Sequence, residues 1–179
     1  MAPIPLSEKF DILNAPLLIR YKGVFDYDGM YKMMHAWLIS KRFLFAETSY
    51  KDKVSTPFGN ELEISWTAEK KVSEFIKEYI DIEFELWDHS EVEVIKDGKK
   101  VKNTKARMNI RFFAKLELDY SRKFTDGGTF AKKLGQFYVE NVIYWDWRIK
   151  YANALEYAVY DLHTKVKKYL NMDTGSNVY

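Results

Sequence analysis

The sequence predicts an α+β fold: a curved antiparallel β-sheet with one N-terminal helix and a long C-terminal helix packed on it. Three observations predict it. Met108, Ile110, Phe112, Ala114, Leu116 and Leu118 form the longest clean alternation in the chain, the mark of a strand with one buried face. From Thr129 the apolar spacing changes to three or four, the period of a helix. Asp97-Gly98 is a strong two-residue hairpin signal between runs of strand composition, which calls for antiparallel neighbours.

Residues 1–14 hold Pro3 and Pro5, show no period and read as an arm. Pro16 precedes Leu17 to Phe25, a run of strand length in which Gly23 suggests a bulge or a close backbone approach. Phe25-Asp26-Tyr27-Asp28-Gly29 is a turn, with Asp28 or Asp26 placed to cap a helix. The helix runs to about Arg42, with Met30, Met34, Trp37 and Leu38 on one face. Phe43 to Val54 begins as a strand, and Pro57, Gly59 and Asn60 mark a turn. Leu62, Ile64, Trp66 and Ala68 alternate with Glu63, Ser65 and Thr67 as in a half-buried strand.

Residues 70–79 stay open between helix and strand. Val72, Phe75, Ile76, Tyr79 and Ile80 match a helix stripe. As a strand, the face Val72, Glu74, Ile76, Glu78, Ile80 carries two carboxylates. Ile80, Ile82, Phe84 and Leu86 then alternate with acids, Asp88 and Ser90 interrupt, and Val92 to Ile95 lead into the hairpin. Asp126-Gly127-Gly128 ends the sheet region. Beyond it Leu134, Tyr138, Val142, Trp145, Ile149, Ala152, Leu155, Val159, Leu162, Val166 and Leu170 step by three or four. One helix of roughly 40 residues would be about 60 Å long, more than a domain this size needs. A break near Asn141 or a projecting helix is therefore expected. Residues 15–172 read as a single domain and 173–179 as a polar tail.

The totals set bounds. A chain of 179 residues fits one domain, and 47% hydrophobic residues supply its core. A net charge of +2 gives no general reason to expect nucleic acid or an anionic membrane as partner. With no cysteine, disulfides, thiolate catalysis and Cys-based metal sites are excluded. No basic-then-apolar leader opens the chain, and no stretch approaches the roughly 18 apolar residues of a membrane helix. The chain is expected to be cytoplasmic, or part of a particle assembled from it.

Each candidate chemistry has a simpler reading. His35, His89 and His163 show no metal-ligand spacing and read as surface or core-edge residues. Asp26 and Asp28 begin like a calcium loop. Met30 and Trp37 stand where its later ligands belong, so helix capping is the better reading. Glu61, Glu63, Asp81, Glu83, Glu85, Glu91, Glu93, Glu117 and Asp119 fall mostly on a polar sheet face rather than in a convergent pair. Neither a Gly-x-Ser-x-Gly nor a phosphate-cradling loop occurs, and Gly127-Gly128 reads as a plain joint. No catalytic residue, cofactor or metal is expected.

Lys96, Lys99, Lys100, Lys102, Lys105 and Arg107 crowd one hairpin. Contact with a polyanion is the functional reading. A solvated hairpin whose lysines discourage edge pairing is preferred, because no aromatic stacking pattern is interleaved. The most informative feature is the aromatic run Tyr144, Trp145 and Trp147, with Arg148, Tyr151, Tyr157 and Tyr160. It covers more than one helix face, so part of it must be exposed, line a cavity or meet another chain.

Three segments carry a resemblance: Tyr21-Lys22-Gly23-Val24-Phe25-Asp26-Tyr27-Asp28-Gly29, the stretch Glu91 to Lys100, and Leu162-His163-Thr164-Lys165 to Met172-Asp173. Over most of its length the chain resembles a group of short uncharacterised archaeal proteins, a likeness that implies an archaeal setting and no activity. In outline, the element order is similar to the helix-grip fold of START-like proteins, which implies an apolar cavity between sheet and long helix. The expected function is a non-catalytic structural or self-assembly protein using aromatic and strand-edge contacts, with its own copies as partner. The alternative is a helix-grip-like module for an apolar small molecule or lipid.

Overall fold

The computed structural model describes residues 4–56, 59–96 and 99–172. Six strands form one antiparallel sheet: β1 (Lys9–Asp11), β2 (Leu17–Phe25), β3 (Leu44–Thr56), β4 (Gly59–Lys71), β5 (Ile76–Lys96) and β6 (Lys99–Leu118). Strands β3 to β6 form a meander. Both β1 and β2 pair with the remaining side of β6, β1 along residues 115–117 and β2 along residues 104–112. Helix α1 (Tyr27–Ser40) lies between β2 and β3, and α2 (Gly128–Phe137) and α3 (Asn153–Tyr169) follow the sheet. Between α2 and α3 stand two π-wound stretches, Tyr138–Val142 and Asp146–Ala152. The chain is thus α+β, as its patterning predicts.

Period-two alternation sets the layers. The even-numbered residues of β6 from Met108 to Leu118 are buried, as are Leu62, Ile64, Trp66 and Ala68 of β4 and Ile80, Ile82, Phe84 and Leu86 of β5. They form one core with Met30, Met34, Trp37 and Leu38 of α1 and Leu155, Val159, Leu162 and Val166 of α3. The opposite sheet face is polar. There Arg111 bridges Glu83 at 3.0 Å and Glu85 at 2.6 Å, and Lys115 meets Asp81 at 2.8 Å.

Local chemistry fixes the ends of α1. Asp26 is the N-cap, its Oδ1 accepting from Gly29 N at 2.8 Å. Tyr169 donates to Oδ2 of the same carboxylate at 2.8 Å, tying the end of α3 to the start of α1. A β-carbon at residue 29 would collide with the Tyr169 hydroxyl and the Asp26 carboxylate, so any larger residue there must displace this cap. The helix closes as Arg42 turns left-handed (φ 64°) and Phe43 N donates to Leu38 O at 3.1 Å.

Residues 70–79 are strand on both sides of a turn, not helix. Ser73 Oγ accepts from Phe75 N and Ile76 N and closes the turn between β4 and β5. The inward carboxylate of Glu78 that argues against a strand is met by Lys70, its register partner, at 3.4 Å. Burial still raises the pKa of Glu78, and Lys70 offsets this only in part. Asp88 and Ser90 do not end a strand either. β5 passes through them as an irregularity, with Asp88 at φ 56° and the register shifting between Trp87 and Ser90. The Asp97-Gly98 turn, residues 57–58, residues 1–3 and the tail 173–179 lie outside the described residues, while Lys96 and Lys99 pair on either side of the turn.

Within the arm, residues 9–11 form β1, and Ile4, Leu6, Phe10, Ile12 and Leu13 pack on the core. The arm is held by Asp119, a fully buried carboxylate at the end of β6. Its Oδ2 accepts from Phe124 N at 3.1 Å, Thr125 N at 2.9 Å and Thr125 Oγ1 at 2.9 Å. Ser7 Oγ lies 2.7 Å from both the Asp119 carbonyl and Thr125 Oγ1. One buried side chain therefore joins the arm to the loop before α2.

Candidate interaction surface

The C-terminal helical segment has two faces with different company. Inward, Gly135, Val139, Trp147, Ala152, Leu155, Val159, Leu162, Val166 and Leu170 are buried. Outward, Phe130 (80% exposed), Leu134, Phe137, Val142, Trp145 (70%), Ile149, Tyr157 (74%) and Tyr160 meet solvent. The π-wound turns explain how both faces persist. A π turn bonds residue i to i+5, so it holds one residue more than an α turn and shifts the phase of the stripe that follows. The inner face takes its five-residue step from Trp147 to Ala152 across the second π stretch. The outer face takes its own from Phe137 to Val142 across the first. A bend at Ile143, two residues from Asn141, separates the stretches.

The seven residues singled out in the sequence divide between the faces. Trp145, Arg148, Tyr157 and Tyr160 are exposed, Tyr144 and Tyr151 are half-buried, and Trp147 is buried. Trp147 stands edge-on to Phe10 of β1 (ring centroids 5.7 Å apart) and to Tyr144 (5.8 Å). Tyr144 in turn meets Trp145 edge-on at 5.4 Å and accepts from Arg148 at 3.0 Å. The buried rings thus hold the exposed one in place. Phe130, Leu134, Phe137, Val142 and Ile149 belong to the exposed face and are absent from that reading. Three of them, Leu134, Val142 and Ile149, fall on the same three-or-four spacing as the core residues. Val142 lies in the first π stretch and Ile149 in the second, while Leu134 lies in α2 before both.

Three of the six basic residues of the hairpin are paired across its own strands. Lys100 pairs with Glu93 at 3.0 Å, Lys102 with Glu91 at 3.2 Å and Arg107 with Asp88 at 2.6 Å. Lys105 has no ion pair among the described residues, and the side chains of Lys96 and Lys99 lie outside them.

The histidines stand apart. His35 meets Phe45 edge-on at 4.8 Å, His163 meets Phe112 at 5.7 Å, and His89 lines a pocket. Burial, with Lys167 nearby, lowers the pKa of His163. Among the described residues no group of three His, Asp or Glu is placed to hold a metal ion.

The space between sheet and helices is filled by Trp66, Phe84, Phe112, Met30, Met34 and Met108, each almost wholly buried. A pocket of about 310 Å³ lies between β1 and the C-terminal segment, lined by Phe10, Ile12, Trp147 and Ala152. Another of about 360 Å³ is bordered by Tyr21, Phe25 and Tyr169, and one of about 240 Å³ by Tyr27, Tyr50 and His89; these two share Asp26 and Asn103. The Tyr27 hydroxyl is buried without a hydrogen-bond partner among the described residues, and burial raises its pKa.

No protein-family model and no curated protein matches the chain. No helix among the described residues is long and apolar enough to cross a membrane.

Proposed function

We propose that this chain is a non-catalytic structural protein that assembles with its own copies through the outer face of its C-terminal helical segment. The carrying observation is the run of eight large apolar side chains exposed from Phe130 to Tyr160. At about 200 Å² per aromatic side chain, its five rings alone leave on the order of 650 Å² uncovered. Exposed apolar area of that amount along one helical segment supports an interaction site there. It approaches the roughly 800 Å² per partner of a standard interface. The polar sheet face supports the non-catalytic part of the reading, because Asp81, Glu83 and Glu85 are engaged by Lys115 and Arg111.

Strand-edge contact is the lesser route. The edge strand β3 exposes Leu44 and Tyr50 but carries a bulge between Glu47 and Ser49, a device that discourages edge pairing.

Sedimentation velocity across micromolar concentrations tests the proposal. The chain is expected to sediment as a dimer or larger, and Trp145→Asp with Phe137→Asp to shift it to monomer at unchanged circular dichroism. A wild-type monomer with a co-purifying small molecule in native mass spectrometry would refute it and favour the apolar-ligand reading.

A further inference from the structure

We infer that the polar face of the sheet carries a binding site for single-stranded nucleic acid, built where β2, β6 and β5 run side by side. The site is independent of self-assembly, which uses the C-terminal helical segment. Strand register brings its residues together. Lys22 of β2 stands opposite Arg107 of β6, and Arg107 stands opposite Trp87 of β5. In the adjoining rows Arg20 stands opposite Asn109, and Val24 opposite Lys105. Ala106, Met108 and Ile110 are buried, so Lys105, Arg107 and Asn109 project from the other face. Arg20, Lys22, Trp87, Arg107 and Asn109 border an open hollow of about 360 Å³.

The charges set this half of the face apart. Further along the same face Arg111 is matched by Glu83 and Glu85, and Lys115 by Asp81. Here Asp88 meets Arg107, while Arg20, Lys22 and Lys105 have no ion pair among the described residues. Like charges directly opposite on paired strands destabilise a sheet, and Lys22 and Arg107 are so placed. An anion bound between them relieves that repulsion. The net charge of +2 conceals the patch because acids elsewhere balance it.

The ring decides among anions. Sequence order shows no aromatic interleaved with the lysines of the hairpin, but pairing sets half-buried Trp87 beside Arg107. An unpaired base can stack on an indole while neighbouring cations hold its phosphates, and every base has such a face. Asn109 offers a donor and an acceptor to a base edge. In a duplex the bases stack on one another and are out of the ring's reach. An anionic bilayer would also press against Glu83, Glu85 and Asp88. An acidic peptide engages the cations and leaves the indole uncovered.

Fluorescence anisotropy of a labelled oligouridylate about twelve nucleotides long, titrated with the full chain, tests the site. Micromolar binding is expected in low salt, with a log–log salt slope of roughly −2 to −3 for three or four neutralised phosphates. Trp87→Ala loses about fivefold or more in affinity, and Trp87→Tyr keeps most of it. Arg20→Ala with Lys22→Ala, both exposed side chains, reduces the slope by about 1.4. Lys100→Ala with Lys102→Ala, nearer the hairpin tip, weakens binding less than that pair.

No binding in low salt overturns the proposal, as does equal or tighter binding to a duplex of the same length. A tip pair that matters as much as Arg20→Ala with Lys22→Ala puts the contact elsewhere and overturns it too. Trp87→Ala that keeps its circular dichroism and binds like wild type overturns it in favour of a polyanion contact without stacking. Equal affinity for polyglutamate or phosphatidylserine vesicles does the same.

Discussion

Replacing Asp119 by alanine should be the most damaging single polar substitution in this protein. The side chain is fully buried and accepts three hydrogen bonds, two from the backbone amides of Phe124 and Thr125. A buried donor left without its partner costs about 1–3 kcal/mol. The backbone adds to this, because residue 119 sits at φ 57°, where alanine costs about 1 kcal/mol more than Asp or Asn. Water can reach the vacated site once the loop relaxes, so the three losses do not add in full. The expected total is about 3–4 kcal/mol. For a chain of this size that lowers Tm by roughly 6–16 °C, at about 2–4 °C per kcal/mol.

Three variants followed by thermal and urea unfolding separate the contributions. Asp119→Asn keeps an acceptor and tolerates the left-handed backbone, so it should lose about half as much as alanine. Asp119→Gly removes the side chain and relieves the backbone, so it should remain almost as unstable as alanine. If glycine instead restores wild-type stability, backbone conformation and not the carboxylate accounts for the site. A Tm unchanged in all three would refute the reasoning entirely.

Two further predictions concern the ends of α1 and the interior of the sheet. Gly29→Ala should cost about 1–2 kcal/mol by unfolding. The new methyl displaces the Asp26 cap and its bond from Tyr169, while alanine's helix propensity returns about 1 kcal/mol. The Tyr169 hydroxyl, pushed up to about 12 by burial and by the Asp26 carboxylate, should titrate nearer 10 in that variant. Glu78→Gln should raise Tm at pH 7, because the folded state raises the pKa of Glu78 and so disfavours its charged form. That penalty is full above the raised folded value and vanishes as pH falls below the ordinary glutamate value of 4.5. The gain should therefore shrink in acid. A gain that grows as pH falls would contradict the sign.

Legibility in the sequence followed the range of the interactions. Strand β6 and the core stripe from Ala152 to Leu170 are readable because each period repeats between near neighbours and one face is buried throughout. The turn at residues 72–75 is obscured by Glu78, whose inward placement makes sense only with Lys70 across the hairpin. Strand β1 has three residues and owes its pairing to residues 115–117, more than a hundred positions away. Of the candidate surface, Trp145, Tyr157 and Tyr160 stood out as surplus rings. The aliphatic half of the face did not, since Leu134, Val142 and Ile149 look like core until the helix is wound.

The order of side-chain polarity along the chain by itself determined the class of fold, the inner face of the sheet and the inner face of α3. Alternation and helical spacing are local, and burial of apolar area rewards only one orientation of each element. Tertiary structure alone decided where the C-terminal segment adopts π turns, and hence which rings face water. An extra residue per turn leaves no mark in composition, and its hydrogen bonds are favourable only when packing against Phe10, Phe75 and Phe124 holds the turn in place.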